Sequence, residues 1–417
     1  MSLVDSAQAI VGNGSARPGT PDDAVGGVVP RVVVEPPTAA AVAETLAWAT
    51  RDELSVVPRG AGTKLEWGPA PRTLDVLLST TRLNKVIAHR HGDLTATVQA
   101  GAVLADVNRE LGQHNQWIPM DPPSGDRATI GGIVATNDSG PRRHRYGAPR
   151  DLIIGVDLAR ADGQLAKGGG IVVKNVAGYD LSRLLTGSFG SLAVIVGATF
   201  KLYPLTVASR TLIVDAPNPN DLGAVVGKLL GCQLTPTAIE LEMPPLQLLL
   251  RFESIQASVD QQAATASKLI EGSGLRVKAV DAAEEERLWA QHARQPWDGS
   301  GAIVKISLLP SELGTVLSTL QRLGEPSGYA AAGRAGVGVM LARLEGSADA
   351  QSRIISELRD LFPVGRGSVV VVRGSSELKN MIDVWGPIGD GLPLMREVKR
   401  RFDPVGILNP GRGPGGI

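Results

Sequence analysis

Four short stretches carry residues that could do chemistry. The first is Pro58-Arg59-Gly60-Ala61-Gly62-Thr63. Two glycines within three residues let consecutive backbone N–H groups converge on an anion, and Arg59 adds positive charge beside them. That would cradle a pyrophosphate, although a plain strand-ending loop could be written the same way. It is not the G-x-G-x-x-G fingerprint and no helical pattern follows, which disfavours a Rossmann site. The second stretch, Thr129-Ile130-Gly131-Gly132, opens a helix over 133–137. Gly131 and Gly132 fall where free N–H groups and the positive dipole end of that helix lie. Glycines packed tightly on a strand would look alike. The third stretch runs from Lys174 through Gly178-Tyr179-Asp180-Leu181, Gly187-Ser188 and Gly190-Ser191 into an apolar run over 192–202. The glycines leave room for a large flat group against bare backbone, with an ordinary helix–turn–strand unit as the alternative. The fourth is the basic loop Arg142-Arg143-His144-Arg145. It reads as a solvated face, or as a place where one arginine meets a phosphate or an anionic ring.

The elements that must position these residues follow from periodicity. Short strands are expected at 32–34, 55–57, 74–78, 93–99, 152–158 and 192–202. Thr38 is a fitting N-cap for a helix carrying Val42, Leu46 and Ala49, and Leu104, Val107 and Leu111 mark another. A turn is expected at Asp162-Gly163. Residues 1–25 are expected to be a loosely held tail, poor in large apolar side chains. After Pro204 a β-α-β-β-α-β order occurs twice. Its first strands span 210–214, 237–242, 247–252 and 275–280, and its second set 302–308, 328–332, 337–344 and 368–372. Helices over 222–230, 258–269, 311–323 and 348–361 lie between them. This predicts two ferredoxin-like halves sharing one antiparallel sheet, an α+β arrangement.

Composition narrows the function classes. The chain has 417 residues, 43% hydrophobic and 20% charged, which suits a globular protein of two domains. Lys+Arg and Asp+Glu balance at 42 each, so no basic field points to nucleic acid or an anionic membrane surface. The single cysteine, Cys232, excludes an internal disulfide and a cysteine-held metal or iron–sulfur centre, and fits a reducing compartment. No secretory leader and no membrane span are expected.

The Gly-rich turns, in their order along 26–207, resemble the FAD-binding domain of the vanillyl-alcohol oxidase/PCMH flavoprotein superfamily. In that family the first turn and the Thr-x-Gly-Gly helix start hold the FAD pyrophosphate. The K-x-x-x-G-Y-D-L and G-S-x-G segments hold the rest. The resemblance implies cofactor contacts from Pro58, Arg59, Gly60, Ala61, Gly62 and Thr63. It implies further contacts from Pro122, Ser124, Thr129, Ile130, Gly131, Gly132, Ala135, Asn137, Gly140, Tyr146 and Gly147. It adds Lys174, Gly178, Tyr179, Asp180, Leu181, Gly187, Gly190, Ala193, Ile195 and Asn409. Covalent members carry a histidine after the first turn; Thr63 stands there, which implies non-covalent FAD. The implied fold is a PCMH-type FAD-binding domain of two α+β subdomains over 26–207 and a ferredoxin-like α+β cap over 208–385. A C-terminal segment, 386–417, would return to the flavin. The ending Phe402-Asp403-Pro404, Leu408-Asn409-Pro410-Gly411 resembles the glycolate and D-lactate oxidase branch, with Arg412 where that branch ends in lysine.

Catalytic members of the branch carry G-H-x-G-D-G-N-x-H in the cap. Here the matching stretch has Arg334, Val337, Val339 and Leu341 at the ligand positions. Valine and leucine can neither ligate a metal nor accept a proton, so no metal is expected. The five histidines, His89, His91, His114, His144 and His292, show no metal-like spacing. The resemblance therefore implies an FAD-binding, electron-transferring subunit of a glycolate oxidase. Its implied partners are a homologous catalytic flavoprotein and an iron–sulfur subunit, with the quinone pool reached indirectly. A cytoplasmic place, at the inner membrane only through partners, goes with this. Two alternatives stay open: a self-sufficient FAD oxidoreductase holding a carboxylate on Arg334 or Arg142, and a scaffold in which FAD only stabilises the fold.

Overall fold

The computed structural model describes residues 2–171 and 179–417. It divides into two compact units. The first comprises Met1–Ser139, Ala148–Leu205 and Asp390–Ile417; the second comprises Gly140–Gly147 and Thr206–Gly389.

The first unit opens with α1 (Leu3–Val11), β1 (Ala16–Pro18), β2 (Val32–Val34), α2 (Ala39–Arg51), β3 (Val56–Arg59) and β4 (Val76–Ser79). The sheet order is β1-β2-β4-β3, with β2 and β3 parallel to β4. Residues 1–25 are thus not the loose tail that their composition suggested. Ser2 caps α1 and pairs with Asp5 in a capping box, while Ala7 and Val11, one helical turn apart, are buried in a cluster that includes Val42 and Leu46. Leu3, Val4 and Ile10 pack partly buried against the same cluster, so five apolar residues hold this nine-residue helix. Thr38 does cap α2, its hydroxyl accepting from the N–H of Ala41 at 3.1 Å.

Next come β5 (Val86–Arg90), β6 (Thr95–Gln99), α3 (Leu104–Leu111), β7 (Gln116–Trp117) and α4 (Ile130–Thr136). The one-turn α5 (Arg143–Tyr146) falls in the second unit. The first unit resumes with α6 (Pro149–Leu152), β8 (Ile153–Ala159), β9 (Leu165–Gly169), α7 (Leu181–Leu185), β10 (Val194–Lys201) and β11 (Tyr203–Pro204). The antiparallel order is β5-β6-β10-β8-β9. Strand β10 is central and buried on both faces. Val194 and Val196 pack into the cluster around α2, whereas Ile195, Ala198 and Phe200 pack into the cluster that holds α4. Such a strand reads as a continuous apolar run because neither face meets water.

The second unit holds β12 (Ala208–Asp215), α8 (Pro219–Leu230), β13 (Ala238–Met243), β14 (Gln247–Ser254), α9 (Gln256–Glu271), β15 (Arg276–Ala279) and α10 (Ala282–Arg294). It continues with β16 (Ala302–Ser307), α11 (Leu313–Gly324), β17 (Tyr329–Arg334), β18 (Val339–Leu344), α12 (Ala348–Asp360), β19 (Ser368–Arg373) and α13 (Ser376–Met381). All eight strands form one sheet, β15-β12-β14-β13-β17-β18-β16-β19, and the two β-α-β-β-α-β halves join where β13 pairs β17. The chain then returns to the first unit through α14 (Leu392–Phe402). No helix among the described residues is long and apolar enough to cross a membrane.

This eight-stranded sheet has two unlike faces, as a period of two requires. One carries Leu212, Leu241, Leu250 and Phe252 into a core with α8, α9, α11 and α12. The other carries charge. Arg142 grips Glu253 with two nitrogens, at 3.1 and 2.8 Å. Arg251 stands 3.2 Å from Glu253 and 3.3 Å from Glu285, which in turn accepts from Ser209 and Thr211. Helix α10, which sequence periodicity did not reveal, covers part of this face with Trp289 and His292. The basic loop is therefore not simply a solvated face. Arg142 is committed to a buried carboxylate, and Arg145 is the exposed member.

His292 lies between Glu242, 2.7 Å from its Nδ1, and Glu240, 2.9 Å from its Nε2, and is 3% exposed. Burial works against the charged ring, but the two carboxylates overcome it and raise the pKa to about 9. The folded value lies above the unfolded one, so this stabilisation is complete below about pH 6.5 and is lost as pH rises through about 9. We predict that wild-type stability, measured by urea unfolding, falls by roughly 1–3 kcal/mol more than that of His292→Gln between pH 6.5 and 9.5. Parallel pH profiles for the two proteins would contradict this.

Candidate functional site: a backbone-lined cleft in the first unit

Three chain crossings build one cleft. Strand β3 ends at Arg59 and delivers the turn 60–63; α4 delivers Thr129, Gly131, Gly132 and Ala135; the 189–195 segment delivers Gly190, Ala193 and Ile195 ahead of and within β10. A fourth wall, Asn409 and Arg412, comes from the end of the chain. Pro58, Arg59, Gly60, Ala61, Gly62 and Thr63 all line the space.

Among the described residues, no hydrogen bond starts from the N–H of Gly60, Ala61, Gly62 or Thr63. Gly62 sits at φ +78°, a left-handed conformation that glycine takes without strain. Gly60 approaches Thr129 so closely that a Cβ there would collide with its hydroxyl. That Thr129 hydroxyl oxygen is buried and without a hydrogen-bond partner. Helix α4 contributes less than its sequence promised. Ile130 donates to the Ala102 carbonyl at 2.9 Å and Gly131 to Ala100 at 2.7 Å, which leaves the Gly132 N–H open. Gly131 is required by packing, because a Cβ would lie 2.9 Å from that of Ala100. Substituting it would therefore injure the fold before the ligand.

The C-terminal wall is fastened by one carboxylate. Asp403, 1% exposed, accepts from the N–H groups of Gly406, Ile407 and Leu408 and from Lys399 Nζ at 2.6 Å. Lys399, whose pKa burial pushes down despite Asp403, also donates to the carbonyls of Ser191 and Leu408. The loop so shaped lays Leu408 beside Val56 of β3, with backbone bonds of 2.8 Å from Val56 to Ile407 and from Asn409 to Val56. Asn409 then donates to the Phe189 carbonyl at 2.6 Å.

The FAD binding domain family matches residues 30–169, and the C-terminal domain of FAD-linked oxidases matches residues 387–412. The glycolate oxidase subunit GlcD of Bacillus subtilis is 25% identical over 92% of this chain and 89% of its own length. Subunit GlcE of the Escherichia coli enzyme is 35% identical over 41% of this chain and 49% of its own length. The solved structure of p-cresol methylhydroxylase superposes with a TM-score of 0.77 over 98% of this chain and 95% of that one, at 16% identity. The chain is an FAD-linked oxidoreductase with a PCMH-type fold.

The cleft of this flavoprotein suits an anionic, partly flat ligand: a row of open N–H groups, a buried hydroxyl without a partner, and bare glycine backbone. Several expected residues lie elsewhere. Ile130 is fully buried behind the wall, Asn137 ends α4 in a left-handed conformation, and Gly187 donates to the Val134 carbonyl. Pro122 and Ser124 form a separate turn, Ser124 with φ +59°. Gly140, Tyr146 and Gly147 belong to the second unit. Asp180 caps α7 by accepting from Arg183, Leu181 packs on Gly168, and Tyr179 is 93% exposed. None of these first-unit residues lines the cleft. Lys174 and Gly178 lie outside the described residues.

Other wall residues escaped the sequence reading: Lys64, Leu65, Trp67, Thr80, Thr136 and Phe189. Position alone gave a signal for Lys64, which directly follows the glycine turn. His89, His91 and His114 do gather, with ring centroids 4.7 to 6.0 Å apart, yet no described group of three such side chains could hold a metal. In the second unit Val339 and Leu341 are buried and apolar, and His144 packs over Gly336.

Asp403→Ala should cost about 3–5 kcal/mol, because it strands buried Lys399 and three N–H groups, and should lower cofactor content as the C-terminal wall detaches. Urea unfolding and the flavin-to-protein absorbance ratio of the purified variant check both.

Proposed function

We propose that the chain is the FAD-binding, electron-transferring subunit of a glycolate oxidase (glycolate dehydrogenase) complex that oxidises glycolate to glyoxylate, with the substrate oxidised on a homologous subunit. FAD, when bound, would supply the redox chemistry by which electrons reaching this subunit are passed on. This chain's residues hold it non-covalently, with Gly60 to Thr63 and Gly132 offering N–H groups to the pyrophosphate and Gly190, Ala193, Ile195 and Asn409 walling the remainder. Thr63, at the position where covalent members carry the linking histidine, cannot form that bond. Likeness to the two glycolate oxidase subunits supports the substrate class, a 2-hydroxy acid. Partners of this reading are the catalytic flavoprotein, an iron–sulfur subunit and, indirectly, the quinone pool.

One observation carries the division of labour. Where catalytic relatives of this branch place metal ligands, this chain has buried Val339 and Leu341, and Arg142, a candidate carboxylate holder, is engaged by Glu253. A self-sufficient 2-hydroxy-acid oxidoreductase is the second reading. It is favoured by Glu240 Oε1 and His144 Nδ1, two buried atoms of the second unit without hydrogen-bond partners, one of which could take a hydroxyl proton.

The isolated holoprotein should show no glycolate- or D-lactate-dependent bleaching of its flavin, and should co-purify with a second flavoprotein and an iron–sulfur protein when tagged at native expression. Rapid bleaching by glycolate alone would establish the second reading instead. The flavin should pass into the supernatant on acid precipitation; yellow colour in the pellet would refute non-covalent binding.

A further inference from the structure

Among the described residues, three cations line the cleft: Arg59, Lys64 and Arg412. Two are committed. Arg59 is paired with Asp23 at 3.1 Å, a carboxylate 4% exposed that also takes two nitrogens of Arg17. Arg17 first, then Thr20 and Arg59, hold that carboxylate well below the usual range. Arg412 is buried and donates to the carbonyls of Leu65 at 2.6 Å, Trp67 at 2.8 Å and Pro69 at 3.2 Å. Its guanidinium shapes the 65–69 wall.

Lys64 differs. Its side chain is 8% exposed, and its ammonium lies 3.1 Å from Asp138 Oδ2, itself 9% exposed. The two meet as a charge contact outside regular hydrogen-bond geometry. Among the described residues the other neighbour of Nζ is the Thr63 hydroxyl, at a long 3.4 Å. An ammonium has three donors. Asp138 meets this buried ammonium from one side, which leaves donors for a further acceptor in the cleft.

We infer that Lys64 is the cation that meets the anionic part of bound FAD, with Asp138 as the residue that positions it. The inference deepens the flavoprotein reading and rests on FAD occupying this cleft. Two anionic parts of FAD share this chemistry, the pyrophosphate and the reduced isoalloxazine ring.

The test compares wild type, Lys64→Arg, Lys64→Gln and the double variant Lys64→Met/Asp138→Asn, which removes both charges and leaves no stranded carboxylate. Apoprotein is titrated with FAD, the potential of the bound flavin is measured, and circular dichroism and thermal melts report folding. If Lys64 meets the pyrophosphate, the double variant binds oxidised FAD about tenfold or more weakly, the scale of one charge-assisted hydrogen bond, at unchanged potential. If it meets the reduced ring, affinity for oxidised FAD holds while the potential falls by about 30 mV or more, the equivalent of tenfold for a two-electron couple. In either case Lys64→Arg restores most of the loss. Unchanged affinity and potential in the folded double variant overturn the inference. So does failure of both charge-removing variants to fold, which makes Lys64 a purely structural cation. Wild-type protein that binds no FAD would instead refute the cofactor reading itself.

Discussion

The first unit depends on one buried carboxylate. Asp403 gathers three backbone N–H groups and an ammonium, and so converts the end of the chain from a free segment into the fourth wall of the cleft. The arrangement is sound because every lone pair of a deeply buried charge is engaged, which is the condition under which such a charge is tolerated. Lys399 serves from the other side. Its three donors reach Asp403, the Leu408 carbonyl and the Ser191 carbonyl, tying α14, the loop after it and the turn before β10 at one point. Residues more than 200 positions apart in sequence thereby share one small polar cluster.

The second unit answers a different constraint. One face of an eight-stranded antiparallel sheet is covered by four helices, and the other carries arginines, glutamates and a histidine that cannot be left both buried and unpaired. The structure meets this by pairing them into chains: Arg142 with Glu253, Arg251 with Glu253 and Glu285, His292 with two glutamates. The residues that make these chains come from β12, β13, β14, α10 and the 140–147 segment, so the network orients α10 and that segment as much as it neutralises charge.

Periodicity made the skeleton legible. The twice-repeated β-α-β-β-α-β order, the doubly buried β10 and the Thr38 cap follow from apolar spacing and local hydrogen bonding. The glycine turns, too, stood out, because few backbones need Gly-x-Gly or tolerate φ +78°. What stayed hidden was of another kind. Helix α1 is short, its apolar Leu3, Val4, Ala7, Ile10 and Val11 followed by a stretch rich in Gly, Ser and Pro, and α10 presents a charged sequence because it covers a charged face. Gly131 and Gly132 look equivalent in sequence, yet one faces Ala100 and the other is open, a distinction that only the packing of α4 on residues 100–102 decides. Asp180 carries a functional-looking motif position while acting as a helix cap. The Arg142–Glu253 pair spans 111 positions, beyond the reach of any local pattern.

The electrostatics of the cleft follow from these pairings. Counted by residue type, three cations suggest a strongly positive anion trap. Counted by partner, Arg59 is offset by Asp23, Lys64 is held near Asp138, and Arg412 serves backbone carbonyls. Attraction for an anion then rests on the donors left on Lys64 and on neutral N–H dipoles in the 60–63 turn and at Gly132, fixed in place before any ligand arrives. Fixed dipoles in a water-poor wall are screened little by salt, whereas exposed charges are screened within about 8 to 10 Å at ordinary ionic strength. A cleft of this kind holds its ligand by geometry. Glycine suits such a turn because it leaves the backbone N–H groups bare and takes φ +78° without strain.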